Sequence, residues 1–232
     1  MSRFVCLMAL CGTALASQED AAPLEREREN DVYRIYSLLM TNVRTSHGAD
    51  NNPRYLIAAS THSETARQPC VRPPKERETE FREVLMDFEG RKETQRTLTR
   101  QLSVRKPYEL LTAGQVKAFQ SERGWPKPDQ RRLDAQYEGV TDLFILSNVY
   151  FSKNGRLALT AVSSWCGGLC GQHEWKVLEK LPTGVWQEQP WVTCFTIAGG
   201  PENFKIAPRI ISASVSPQVL RVRSVGTADK RK

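Results

Sequence analysis

The cluster richest in reactive side chains runs from Trp165 to Trp175 and has the sequence WCGGLCGQHEW. Thiolate and imidazole are ligand types that zinc prefers in tetrahedral sites, so Cys166, Cys170 and His173, completed by Cys194, form one candidate metal site. The C-x3-C-x2-H spacing differs from the common zinc-finger spacings. The same residues allow two further hypotheses, a redox dithiol and a thiol nucleophile served by His173. A metal- or thiol-dependent enzyme is therefore the alternative hypothesis.

Disulfide formation is the interpretation that we adopt for these cysteines. Four cysteines remain after the N-terminal signal segment described below, and an even number in an oxidising compartment favours two disulfides. We predict a Cys166–Cys170 bond, which closes a small ring around two glycines, and a Cys70–Cys194 bond. The second bond would tie an early loop to the last strand of the predicted sheet.

The other histidines and the known motifs give no catalytic prediction. We interpret His62 as an exposed histidine at a strand end, and half of an acid–base or metal site, formed with Glu64, is the alternative. The chain has no G-x-S-x-G, no Walker A loop, no H-E-x-x-H and no G-x-G-x-x-G. We therefore predict no catalytic residue and no cofactor, and expect a non-enzymatic binding or structural module.

The N-terminus has the three parts of a secretory signal. Arg3 precedes an apolar run over residues 4–16, which ends in Ala14-Leu15-Ala16 before a charged segment. The run is shorter than the ~20 residues that a membrane-spanning helix needs. We predict cleavage after Ala16, export to the periplasm or the extracellular space, and no transmembrane anchor in the mature chain.

The chain is moderately basic, with 33 Lys and Arg residues against 26 Asp and Glu residues and a formal net charge of +7. Basic residues concentrate in one segment and form a candidate surface patch: Arg91, Lys92, Arg96, Arg100, Arg105 and Lys106. We interpret this segment as a solvated helix face and loop, and a binding patch for an acidic envelope component or a protein partner is the alternative. No aromatic residues alternate with these charges, so nucleic acid is not an expected partner.

Periodicity predicts one α+β domain over residues 31–198, between a polar lead-in (17–30) and a C-terminal extension (199–232). Helical spacing begins at Asp31 and recurs around Phe81 and Phe88. Thr112 and Gln115 have the form of a capping box, which predicts a short third helix.

Strand patterns dominate the second half of the domain. Tyr55–Ser60 is a short apolar run of the kind that forms a buried strand. Four later segments are expected to be strands joined by short turns, with Asn154-Gly155 as a hairpin signal: residues 140–151, 157–165, 174–181 and 185–196. We predict an antiparallel meander of about four strands covered by the N-terminal helices, with most tryptophans in the core.

The segment from Leu146 to Cys194 resembles a group of uncharacterised exported bacterial proteins, several of them acidobacterial. The resemblance rests on a strand that ends in C-G-G-L-C-G (162–171), a V-L-E-K strand (177–180) and a G-x-W turn (184–186). It implies export and the hairpin. It implies no activity and no catalytic residue.

Overall fold

The computed structural model describes residues 21–43, 52–64, 68–122, 137–167, 170–193 and 195–197. The helices in these ranges are α1 (Ala21–Asn42), α2 (Glu78–Arg91, preceded by a 3-10 turn at Lys75–Arg77) and α3 (Ala113–Glu122). The strands are β1 (Tyr55–Ala58), β2 (Val71–Arg72), β3 (Tyr108–Leu111), β4 (Leu143–Leu146), β5 (Tyr150–Phe151), β6 (Leu157–Gly167), β7 (Cys170–Lys180), β8 (Trp186–Glu188), β9 (Val192–Thr193) and β10 (Phe195–Ile197). The predicted α+β class is confirmed.

The main sheet is mixed and has the strand order β10-β7-β6-β4-β1-β3, with β5 beside β6 and β8 beside β7. Strand β1 runs parallel to both of its neighbours, β3 and β4. Strand β6 pairs antiparallel with β4 on one side and with β7 on the other. The predicted four-stranded antiparallel meander is therefore not confirmed as the whole sheet. The predicted strand that begins at Tyr55 is β1, and it belongs to the parallel half of the sheet. Strand β3, its parallel neighbour, was not predicted from the sequence.

Helices cover both faces of this sheet, whereas helices on one face only were predicted from the sequence. Alternation along β6 shows the division, because successive side chains of a strand point to opposite faces. Ala158 and Val162 belong to the core under α1, whereas Leu157 and Leu159 belong to the core under α2. Helix α3 covers a third apolar cluster around Leu143. The result is a sheet between two helical layers.

Local signals were accurate at several points. The capping box is formed, since the Gln115 side chain accepts a hydrogen bond from the Thr112 amide at 2.9 Å. Gly155 has a positive φ of 68° in the predicted turn before β6. The helical stripe of α2 is buried as predicted, with Phe81, Val84 and Phe88 inside.

Two boundaries differ from the prediction. Helix α1 begins at Ala21, so the later part of the predicted polar lead-in is helical, although residues 25–30 are largely exposed. The strand predicted over residues 140–151 is two strands, β4 and β5. Between them the Ser147 hydroxyl accepts a hydrogen bond from the Ala161 amide at 2.7 Å, and the Ser147 carbonyl accepts one from the Tyr36 hydroxyl at 2.7 Å.

The tryptophans are largely core residues, as predicted. Trp175 is 2% exposed and Trp186 is 5% exposed. Trp165 is partly buried against Phe119 in the cluster under α3. Trp191 is also partly buried, but it lies outside the strands and packs on Phe81.

Candidate functional site around His173

The hairpin of β6 and β7 carries the cysteine cluster. Cys166 and Cys170 are joined by a disulfide, with their Cα atoms 5.0 Å apart, as predicted. The strand register shifts between Trp165 and Gly167, where the hairpin closes. Because both sulfurs are bonded to each other, neither is a thiolate, and thiolate is the form that binds zinc or attacks a substrate.

Cys70 is also disulfide-bonded, and its predicted partner Cys194 lies outside the described residues. The short ribbon of β2 and β9 follows Cys70 directly. In this ribbon Val71 pairs with Thr193 and Arg72 pairs with Val192, in antiparallel register. The register brings the chain neighbours of both cysteines together, and the Cys70–Cys194 bond stays a prediction.

His173 lies on β7, 5% exposed, under helix α2. Its Nδ1 atom lies 2.8 Å from the hydroxyl oxygen of Ser163, the residue opposite it on β6. The ring also meets Trp175 edge-on, with centroids 5.5 Å apart. The cross-strand position and the packed ring together fix the orientation of the imidazole.

Glu64 approaches the other side of the same ring. Its Oε2 atom lies 4.0 Å from His173 Nε2, and the residue is 2% exposed. The backbone amide of Glu64 donates to the carbonyl of Lys92 at 2.9 Å, which anchors the segment that follows β1. A half-buried hydroxyl (Ser163), a buried imidazole (His173) and a buried carboxylate (Glu64) therefore lie in a row, with a hydrogen-bond-length contact only between the first two.

This arrangement differs from the alternative pairing of His62 with Glu64. His62 is exposed, and its backbone amide donates to the Leu146 carbonyl, so the strand-end interpretation describes it. Ser163 was not predicted. Counting equal numbers of residues outward from the centre of the Cys166–Cys170 loop would have placed it opposite His173.

Tyr150 completes the polar part of this core. It is 0% exposed, and its ring lies against Phe88, with centroids 5.0 Å apart, and under the Arg91 guanidinium at 5.4 Å. Burial raises the pKa of the Tyr150 hydroxyl well above its usual range, and the Glu64 carboxylate raises it further. The hydroxyl has no hydrogen-bond partner among the described residues.

The predicted basic patch is divided by the fold. Arg91 pairs with Asp87 and Arg96 pairs with Glu29, while Lys92 lies 2.6 Å from Glu89. The Lys106 ammonium donates to the Asn52 carbonyl at 3.1 Å and lies over the Tyr55 ring. The remaining two patch residues, Arg100 and Arg105, are exposed. Most of the six charges are thus engaged within the protein.

The described part of the chain has no group of three His, Cys, Asp or Glu side chains that lie close enough together to hold a metal ion. Among the helices that the structure describes, none combines the length and the apolarity needed to cross a bilayer. The short polar contact of the site joins Ser163 to His173, whereas Glu64 Oε2 lies 4.0 Å from the imidazole, beyond the length of a hydrogen bond. Comparison of the chain with protein families, with curated proteins and with solved structures finds no match.

Proposed function

We propose that the protein is an exported, disulfide-stapled binding module without catalytic activity. One observation carries the proposal: the side chains that could do chemistry are buried beneath α2, where packing accounts for them. His173 is 5% exposed, Glu64 is 2% exposed and Tyr150 is 0% exposed.

The signal sequence and the disulfides support the proposed export. Disulfides persist in oxidising compartments and are rare in the cytosol, so the Cys166–Cys170 bond and the bonded state of Cys70 fit the periplasm or the extracellular space. The resemblance of the hairpin to exported bacterial proteins also supports export. An acidic envelope component or a protein is the partner class that the basic charge favours.

The experiment that tests this proposal uses protein recovered from its native host without reductant. Intact mass and thiol titration are expected to show a chain that begins at Ser17 and has no free thiol. A thermal-shift screen of neutral, cationic and anionic compounds is expected to find at least one that raises the melting temperature saturably. A chain that begins at Met1 with four reduced internal thiols would refute the export and the stapling. A screen in which no compound binds would refute the binding module.

The metal- or thiol-dependent enzyme requires the Cys166–Cys170 disulfide to open first. Replacement of both cysteines by serine tests this alternative, because it removes the sulfurs and leaves His173 in place. Unchanged ligand binding by the folded double variant, with no zinc in the parent protein by elemental analysis, would refute the alternative. Loss of zinc or of turnover in the variant would support it.

A serine hydrolase is the second candidate, and the 2.8 Å contact between Ser163 Oγ and His173 Nδ1 favours it. Ser163 Oγ would bond to an ester carbonyl carbon while its proton passes to His173 and then to the departing alcohol, and water would release the acyl group. Glu64 would stabilise the charged imidazole.

A fluorophosphonate probe separates this candidate from the binding module. It labels a serine by bonding its oxygen to phosphorus with loss of fluoride, and only an activated serine reacts readily. Ser164→Ala is the matched control, because Ser164 is the next residue on β6 and points to the opposite face. Labelling that disappears in Ser163→Ala and persists in Ser164→Ala would establish the hydrolase. No labelling of the folded parent protein would refute it.

A further inference from the structure

A cleft of about 230 Å³ opens between α1, the turn that joins β5 to β6, and the end of β7. The residues that line it are charged or polar apart from one glycine, although apolar atoms contribute most of the lining surface: Glu27, Arg28, Asp31, Lys153, Asn154, Gly155, Arg156 and Lys180. Four of these side chains are cationic and two are carboxylates, a net of two positive charges. His173 does not line this cleft, which was not predicted from the sequence.

One cation of the cleft is neutralised within the protein. The Lys180 ammonium lies 2.8 Å from Asp31 Oδ2 and 2.8 Å from Glu27 Oε1. Asp31 is almost fully buried, with 5% of its side chain exposed, whereas Glu27 is 61% exposed at the rim. Both carboxylates of the cleft therefore face the same ammonium group, and Asp31 also accepts a hydrogen bond from the Arg34 guanidinium at 3.3 Å.

The other three cations of the cleft have no carboxylate partner among the described residues. Arg28, Lys153 and Arg156 form no ion pair with any residue in the part of the chain that the structure describes. They come from two different elements, α1 and the turn, and face one small volume. Their mutual repulsion in this space is relieved when an anion enters.

The turn that carries two of these cations is held in place before any ligand arrives. The Glu83 carboxylate accepts a hydrogen bond from the Lys153 amide at 3.0 Å, and the Glu80 carboxylate accepts one from the Asn154 side chain at 3.2 Å. Within the turn, Asn154 Oδ1 accepts from the Arg156 amide at 2.9 Å. A fixed backbone lowers the ordering cost of binding.

We propose that this cleft binds a small anion with two negative charges on oxygen, either a phosphate monoester or a dicarboxylate. Two guanidinium groups, from Arg28 and Arg156, can each donate a pair of parallel hydrogen bonds to such oxygens, and Lys153 adds a point charge. The volume lies below the ~300–1,000 Å³ of clefts that hold drug-sized ligands, which restricts the ligand to a small molecule. The inference rests on the proposed binding function and gives it a ligand class.

The test is calorimetric titration of the mature protein with phenyl phosphate, succinate and the neutral analogue benzyl alcohol, at constant ionic strength set with sodium chloride. We expect one of the two anions to bind with a Kd below about 1 mM, and we expect the neutral analogue to show no saturable binding. The anion that binds identifies the source of the oxygens. Saturable binding of neither anion would overturn the proposal.

Two variants of opposite sign locate the site. Arg156→Gln is expected to weaken binding about tenfold or more, because a charge-assisted bidentate contact is lost. Glu27→Gln is expected to tighten it severalfold, because a carboxylate leaves the rim while Asp31 still holds Lys180. Arg105→Gln is the control, an exposed cation outside the cleft that is expected to change nothing. Equal weakening by Arg156→Gln and Arg105→Gln would overturn the assignment.

This outcome is distinct from failure of the proposed function. If the anions do not bind but a neutral compound from the thermal-shift screen does, the binding module stands and the cleft assignment falls. If no compound binds and the fluorophosphonate labels Ser163, the binding module itself falls.

Discussion

Replacement of Phe88 by alanine tests whether α2 closes the face of the sheet that carries His173. Phe88 is 0% exposed, and its ring meets Tyr150 at 5.0 Å and Trp175 at 5.7 Å, both edge-on. Burial of a phenylalanine ring contributes ~2–3 kcal/mol, and each aromatic pair adds ~0.5–1.5 kcal/mol. We expect the Phe88→Ala variant to lose about 3–5 kcal/mol of unfolding free energy, within the range of large-to-small core substitutions.

Urea denaturation followed by the fluorescence of the five tryptophans, of which Trp175 lies in this contact, measures the loss. Met86→Ala is the matched control, since Met86 lies on the same helix and is 62% exposed. A change within about 0.5 kcal/mol is expected for an exposed site. Equal losses in the two variants would refute the placement of α2 and, with it, the burial of the His173 cluster.

Three further predictions concern local features. Thr112→Ala is expected to cost about 1 kcal/mol in urea denaturation, because the capping box at α3 is lost, and Thr112→Ser is expected to restore most of it. Joint replacement of Cys166 and Cys170 by serine is expected to cost roughly 2 kcal/mol under non-reducing conditions, the entropic value for a ring of about five residues, and no difference from the parent would contradict the bond. Burial raises the pKa of Tyr36 and Tyr150, so their folded pKa values exceed the unfolded ones. Their contribution to the free energy of unfolding is therefore expected to be fully present below pH ~10 and to be lost as the pH rises above it. An absorbance titration in which all six tyrosines ionise at their ordinary pKa without unfolding would contradict this.

The sequence was informative where the deciding interactions are local. The capping box joins residues three positions apart, and Gly155 adopts its positive φ within a single turn. The apolar stripe of α2 follows from the helical repeat alone. The Cys166–Cys170 bond links residues four positions apart, so its geometry depends on one hairpin.

The sequence was less informative where distant segments meet. Strand β1 lies between β3 and β4, and no local pattern reveals a parallel pairing across the intervening chain. Strand β3 is only four residues long and mostly half-buried, so its alternation is weak. The sequence offered nearby His62 as the alternative partner of Glu64, but the fold places Glu64 beside His173, and a backbone hydrogen bond to Lys92 helps to position it there.

The contacts of α1 have a consequence for the order in which the chain can fold during synthesis. Its Tyr36 bonds to Ser147, 111 residues later, and its Asp31 bonds to Lys180, 149 residues later. The helix is made before these strands, so its apolar side is fully covered only after β7 has emerged, and loop closure over such separations slows folding. A nascent chain interrupted before this point would present part of that side to other chains, which favours aggregation.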